Sequence, residues 1–258
     1  MEILHSKIYG ENRIRTPLLV FHGLFGMLDN WGSFGKEFGE LMPVHLLDLR
    51  NHGRSFRSES MTHDDLARDI LNYLDFYKIE KANLLGHSLG GKAVMQFAIN
   101  FPERIEKLIV VDISPKAYPP HHQGIIKALQ SVDFSKTESR QDAEKILENY
   151  IPEKSVIRFL LKNLYWTDDK HLNWRFNLKT LAEHYTEFVS NAIKFGIFHG
   201  KTLFISGANS NYILPQDNFL IKQQFPNSQI VKIKNAAHWV QADNPADFNK
   251  VVKDFLQN

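Results

Sequence analysis

The segment Leu84-Leu85-Gly86-His87-Ser88-Leu89-Gly90-Gly91 decides how this chain is read. A short apolar run enters it from Ala82, and helical spacing continues from Lys92 to Phe101, stopping before Pro102. A strand that turns at once into a helix forces its central residue into a strained backbone conformation. Glycines on either side remove the side chains that would clash there. The turn holds Ser88 Oγ clear of the backbone at the carboxyl edge of a sheet, beside a helix N-terminus that favours negative charge. Ser88 is the expected nucleophile.

Outward from this segment the same rhythm repeats. Leu18 to Phe21 ends at His22-Gly23, Val44 to Leu47 ends at Asp48, and Lys107 to Val111 ends at Asp112. Runs this short, apolar throughout and stopped by Gly or Asp, read as strands buried on both faces of a parallel sheet. Between them, Met61 to Lys78 carries Leu66, Ile70, Leu71, Leu74 and Tyr77 at helical spacing behind a Thr62 N-cap. Ile3 to Tyr9 alternates as an antiparallel edge strand would. The rhythm breaks at Ser114-Pro115 and resumes with a strand at Lys201 to Ser206. A helix at Pro215 to Phe225, a strand at Gln229 to Lys234 and a helix at Pro245 to Leu256 follow. The expected organisation is one α/β domain, residues 1–115 and 199–258, with a helical insertion at 116–198. Within the insertion, helices are expected at Ile125 to Val132, Ala143 to Tyr150, Val156 to Leu164 and Leu178 to Phe188.

A serine hydroxyl needs a base at neutral pH. Of the 12 histidines, His22, His52 and His87 sit beside glycines, where a ring ordinarily hydrogen-bonds a turn. His238 follows the last strand, on the same sheet edge as Ser88 and late in the chain, as the general base of this fold should be. The turn His22-Gly23-Leu24-Phe25-Gly26 frees backbone N–H groups. Leu24 N–H, with Phe25 N–H as the other choice, pairs with Leu89 N–H as the expected oxyanion hole. Asp48 to Ser55 is expected to tie neighbouring loops together. The acid is unusual: the turn that would ordinarily carry it reads Gly207-Ala208-Asn209-Ser210, with serine in the acid position. Asp217 falls on the next helix. Asp112 ends the strand beside that of Ser88, so it can reach His238 Nδ1; Asp243 is the other acid near His238 in sequence.

With these residues the chain resembles the α/β-hydrolases, and among them the small bacterial YbfF-type esterases. The resemblance runs nearly the full length. It includes Asp29-Asn30-Trp31, Val111-Asp112-Ile113-Ser114-Pro115, Trp174-Arg175-Phe176-Asn177 and Ala237-His238-Trp239-Val240 besides the segments above. It implies a mostly parallel eight-stranded sheet flanked by helices, with an inserted helical cap. It also implies a catalytic tetrad of Ser88, Asp112, Ser210 and His238. The activity implied is hydrolysis of acyl esters or acyl thioesters such as acyl-coenzyme A, without cofactor or metal.

The composition is consistent with that reading. The chain has 258 residues, 43% hydrophobic and 23% charged, which excludes wholesale disorder. Lys+Arg 31 against Asp+Glu 29 provides no nucleic-acid footprint. No apolar stretch approaches the roughly 20 residues of a membrane span, and none at the start reads as a signal peptide. With Cys 0 there is no thiolate chemistry, and a cytoplasmic location is expected. The expected partner is a small acyl ester or thioester; oligomeric state is not read from the sequence. The Phe- and Leu-rich insertion suggests an apolar acyl group, and Lys116, His121 and His122 are expected to be solvated surface rather than a grip on an anionic head group. Two rival readings use the same residues differently: C–C bond cleavage or a lyase reaction, and a non-catalytic ligand receptor.

Overall fold

The computed structural model describes residues 2–10 and 15–258. Its first half runs β1 (Ser6–Tyr9), β2 (Leu18–Phe21), a 3₁₀ turn at Leu28–Trp31, α1 (Gly32–Phe38) and β3 (Val44–Leu47). Then come α2 (His63–Phe76), β4 (Ala82–His87), α3 (Leu89–Asn100) and β5 (Ile105–Val111). The order in the sheet is extended by two later strands, β8 (Thr202–Gly207) and β9 (Ser228–Ile233). These strands assemble as β1-β3-β2-β4-β5-β8-β9, with β1 antiparallel and every other pairing parallel.

Strand alternation divides the apolar runs between the two faces. Leu19, Phe21, Leu84, Leu108, Val110 and Phe204 pack with α2 and α3. Leu18, Val20, Leu46, Leu85, Ile109 and Ile205 pack on the other face with α1 and the last helix. Covering both faces is why these runs carry almost no polar residues. The expected eighth strand is absent among the described residues. The sequence offers seven runs of strand type, and seven strands form this sheet; the number eight rests on the resemblance alone.

Between β5 and β8 lie α4 (Gln123–Gln130), α5 (Arg140–Glu148), α6 (Lys154–Leu161), a hairpin of β6 (Leu164–Trp166) and β7 (Leu172–Trp174), and α7 (Leu178–Glu183). A π turn at Tyr185–Val189 replaces the end of the expected last helix. The hairpin corrects the expectation of a purely helical insertion. Its three-residue strands are too short to show a period of two, and its turn is closed by Thr167 and Lys170. The chain ends with α8 (Asp217–Gln224), α9 (Val240–Asp243) and α10 (Pro245–Gln257).

The insertion shares one apolar cluster with the sheet, from Ala93 and Phe97 to Leu129, Trp174 and Leu181. Polar ties cross the same seam. Asn163 Nδ2 donates to Phe25 O at 2.8 Å, and Asn177 N–H to Asn51 O at 2.8 Å. Lys92, buried on α3, donates to Lys116 O at 2.5 Å and Asn191 O at 2.6 Å, one carbonyl near each end of the insertion.

Candidate active site

Ser88 stands between β4 and α3 with φ 53° and ψ −115°. Positive φ costs a non-glycine residue on the order of 1 kcal/mol or more, so the neighbours must hold it there. They do so by close approach. A Cβ on Gly86 would lie 2.2 Å from Gly90 O, and one on Gly90 would lie 2.6 Å from His22 O and Phe21 O. Ser88 N–H donates to Val111 O at 3.0 Å, tying the turn to β5.

Asp112 follows β5 and is 0% exposed. Both carboxylate oxygens are used. Oδ1 accepts Gly207 N–H at 3.1 Å; Oδ2 accepts the Ser210 hydroxyl and His238 Nδ1–H, the latter at 2.8 Å. Strand ends β5 and β8 and the loop after β9 therefore meet on one carboxylate. The sequence-expected residues Asp112, Ser210 and His238 are brought together. The other acids are not: Asp243 accepts Ala237 N–H at 2.8 Å, and Asp217 pairs with Lys116 at 2.6 Å. Ser88 lines the same cavity as His238, with no hydrogen bond joining the two side chains. Such bonds commonly tighten only when substrate is bound.

Because Nδ1–H donates to Asp112, Nε2 carries the free lone pair. Burial, with the nearby His121 adding to it, holds the His238 imidazole below its ordinary pKa, so it is neutral at pH 7. Burial pushes the Asp112 carboxyl up, opposed by the Ser210 hydroxyl and the Gly207 N–H. An unprotonated imidazole oriented by a carboxylate can accept a proton from a hydroxyl beside it.

The loop after β2 is held by two neutral histidines. Leu49 N–H donates to His22 Nε2 at 3.1 Å while His22 Nδ1–H donates to Gly23 O at 2.8 Å. Phe25 N–H donates to His52 Nε2 at 3.2 Å, and His52 Nδ1–H donates to Arg50 O at 2.9 Å. The Phe25 N–H is thus consumed. Leu24 N–H and Leu89 N–H have no acceptor among the described residues, so these two are available to an incoming oxygen. Asp48 ties loops, as expected: its carboxylate accepts Leu28 N–H at 2.7 Å and Arg54 N–H at 2.9 Å.

Ser88 and His238 open onto a cavity of about 460 Å³ between sheet edge and insertion. Its apolar wall includes Ile125, Val156, Phe159 and Trp239; its polar residues include Glu153 and Asp243. No Lys or Arg is among its described lining residues. His121 is exposed, as expected, with its Nε2 at the Tyr212 hydroxyl; Lys116 and His122 depart from the expectation, being half-buried and paired with Asp217 and Tyr185. Among the described residues no group of three or more His, Asp or Glu can hold a metal ion. The residue that sequence reasoning missed is Tyr212, whose ring stacks on His238.

A model of the alpha/beta hydrolase fold matches residues 16–141. The chain is 35% identical over 244 residues to Esterase YbfF of Escherichia coli (strain K12), covering 94% of each protein. The chain belongs to the α/β-hydrolase family. Among its relatives is the sn-1-specific diacylglycerol lipase ABHD11 of Danio rerio, 36% identical over 250 residues, covering 94% of this chain and 78% of the lipase. A solved marine microorganism esterase superposes with a TM-score of 0.95 at 33% identity, covering 99% of this chain and 100% of that one. The YbfF-type resemblance thus extends from motifs to the whole hydrolase chain.

The buried histidines make stability pH-dependent. Burial lowers His22 to about 4, and His52 and His87 to about 3. Folding keeps them neutral, whereas in the unfolded chain they protonate near pH 6.5. Their contribution is complete above about pH 6.5 and is lost as pH falls toward 4. At pH 5.5 each loses on the order of 1 kcal/mol. Asp112, raised by burial to about 6, offsets part of this. Scanning calorimetry should show Tm falling by about 5 °C or more between pH 7.5 and 5.5. A flat Tm across that interval would contradict neutral burial.

Proposed function

We propose that this hydrolase cleaves carboxylic esters through an acyl-enzyme on Ser88. The observation that carries the reading is the Asp112–His238 hydrogen bond of 2.8 Å, which leaves Nε2 unprotonated in the cavity that Ser88 lines. The esterase and lipase relatives support the same class of reaction.

Ser88 Oγ attacks the acyl carbonyl as His238 Nε2 takes its proton. The carbonyl oxygen becomes an oxyanion held by Leu24 N–H and Leu89 N–H. His238 then protonates the departing alcohol as the C–O bond breaks. Water attacks the acyl-enzyme, giving its proton to His238, and the acid leaves as Ser88 recovers that proton. Asp112 keeps the imidazole in the required tautomer and balances its charge. Ser210 fixes Asp112. The block 116–198 acts as the cap that selects the acyl group.

A fluorophosphonate should label Ser88 stoichiometrically, and Ser88→Ala should lose at least about 10⁴-fold in kcat on nitrophenyl acyl esters. Asp112→Asn favours the wrong tautomer and should lose up to about 10⁴-fold. Ser210→Ala removes one hydrogen bond to a charged group, a loss of about 10–150-fold. Steady-state kinetics should therefore rank Asp112 well above Ser210. A Ser88→Ala protein with full turnover would end the acyl-enzyme reading; failure on every ester would favour C–C cleavage or a receptor role.

Substrate choice follows from the cavity wall. Ala128 is fully buried within the insertion and does not line the cavity. Ile125 and Val156 do. Ile125→Trp and Val156→Phe should shift the preferred acyl chain shorter, with Tm changed little; unchanged chain-length profiles would remove the cap as selector.

Thioesters fit the same chemistry, but a wall with Glu153 and Asp243 and, among the described residues, no Lys or Arg disfavours the phosphates of coenzyme A. An acyl N-acetylcysteamine thioester should have a kcat/KM at least about tenfold above the acyl-coenzyme A with the same chain, the gap narrowing with salt. Equal values would mean that charge plays no part in the choice.

A further inference from the structure

Tyr212 lies two residues past Ser210 in the loop between β8 and α8, and no step above uses it. Its ring stacks on the His238 imidazole with centroids 3.8 Å apart and planes 17° from parallel. Around the loop every polar end of this tyrosine is tied. Tyr212 N–H donates to Ser210 Oγ at 3.2 Å, on the hydroxyl that also donates to Asp112. Tyr212 O accepts the Tyr118 hydroxyl at 2.6 Å, and the Tyr118 oxygen accepts Ser114 N–H at 2.8 Å.

The Tyr212 hydroxyl meets His121 Nε2 at 2.5 Å. His121 Nδ1 is 2.8 Å from Pro119 O, an acceptor, so Nδ1 carries the proton and Nε2 accepts from the tyrosine. His121 belongs to the segment that leads from β5 into α4. A tyrosine held in this way has few orientations, and it denies the flat face of His238 to water and to alternative ring rotations.

We propose that Tyr212 is a positioning residue for His238: it fixes the plane of the imidazole from the face while Asp112 fixes it from the edge, and it couples that plane to the cap through His121. The proposal rests on His238 being the base of the reaction above. An imidazole held only by Nδ1–H···Asp112 can still rotate about that bond and swing Nε2 away from Ser88 Oγ. Misplacement of about 1 Å in a reacting group can cost about 100-fold, so restraint of this rotation acts on kcat rather than on binding.

The titratable neighbours of His238 are Asp112 on Nδ1, the His87 ring at 4.7 Å from the end of β4, and His121 and His122 from the cap. Of these, none but Asp112 touches the imidazole by a side-chain hydrogen bond. Tyr212 supplies apolar cover on one face, which keeps His238 desolvated. Removing the ring lets water reach that face, so the pKa of His238 rises toward its ordinary value and the acid limb of kcat/KM moves to higher pH.

The experiment uses the full chain with nitrophenyl esters, measuring kcat, KM and pH profiles for Tyr212→Phe, Tyr212→Leu and His121→Ala. Tyr212→Phe keeps the stack and should lose no more than about fivefold in kcat. Tyr212→Leu should lose about 10–100-fold in kcat with KM within about threefold, and its acid limb should move up. A leucine variant that turns over like the phenylalanine variant, or that loses activity through KM alone, overturns the proposal. If the leucine variant fails to fold, the double variant decides. His121→Ala should cost about what Tyr212→Phe costs, and combining them should cost no more than either alone. Losses that multiply would break the coupling through His121. His238→Gln is measured in parallel: normal turnover there would remove the base itself, and a leucine variant is then beside the point, so the two failures are told apart.

Discussion

The buried carboxylate of Asp112 is the constraint around which the site is assembled. A carboxylate removed from water is tolerated only when its oxygens are hydrogen-bonded, and the penalty for leaving one open is several kcal/mol. Here the partners come from two further segments: Gly207 N–H and the Ser210 hydroxyl from the turn that ends β8, and His238 Nδ1–H from the loop after β9. The need to satisfy one acid therefore fixes the relative positions of three loops. It also accounts for serine at 210. A carboxylate there would face Asp112 at hydrogen-bond distance, and one of two such acids would have to stay protonated. A hydroxyl can donate to Asp112 and still accept Tyr212 N–H.

The oxyanion side is built on a different principle. Its loop is braced by two neutral imidazoles, each donating from Nδ1 and accepting at Nε2, and by the Asp48 carboxylate, which accepts Leu28 N–H. His22 and His52 have rings 5.1 Å apart, edge to face, and between them they hold Gly23 O, Leu49 N–H, Arg50 O and Phe25 N–H. Because His52 takes the Phe25 N–H, the donor next to it in sequence is the one that remains. Arg50 on the next loop pairs with Asp69, with N–O distances of 2.6 and 2.8 Å.

Much of this was legible in the residues. The strand–turn–helix context of Gly86 to Gly90 locates Ser88, and serine at the end of Gly207-Ala208-Asn209-Ser210 redirects attention to Asp112. Both signals are local, set by backbone geometry over a few residues. The insertion was harder to read for the opposite reason. The β6–β7 hairpin pairs strands of three residues, Leu164–Trp166 and Leu172–Trp174, and three residues show no periodicity. Leu28 to Phe38 forms a 3₁₀ turn and a short helix whose pattern is interrupted by Gly32 and Gly35. Whether Leu24 or Phe25 offers its N–H depends on His52, which lies on a different loop. The Tyr212 stack likewise depends on where two loops cross, and no spacing in either loop reports it.

Lys92 connects the two halves of that picture. It sits four residues past Ser88 on α3, and its ammonium reaches Lys116 O and Asn191 O near the two ends of the insertion. Burial and the neighbouring Lys116 pull its pKa down to about 7, so much of the lysine's ordinary excess of proton affinity is spent on desolvation. A neutral amine would still donate, but a cation bonds two carbonyls more strongly. The same helix thus presents the elbow serine at its N-terminus and gathers both strands of chain leading to and from the cap one turn later. The cap's roots cannot shift without disturbing the Lys92 side chain, and α3 cannot shift without moving Ser88. Through Tyr118, whose ring lies 5.3 Å from the Lys92 ammonium and whose hydroxyl holds Tyr212 O, the same point also reaches the imidazole side of the site. The serine turn and both ends of the insertion are therefore referenced to one buried lysine.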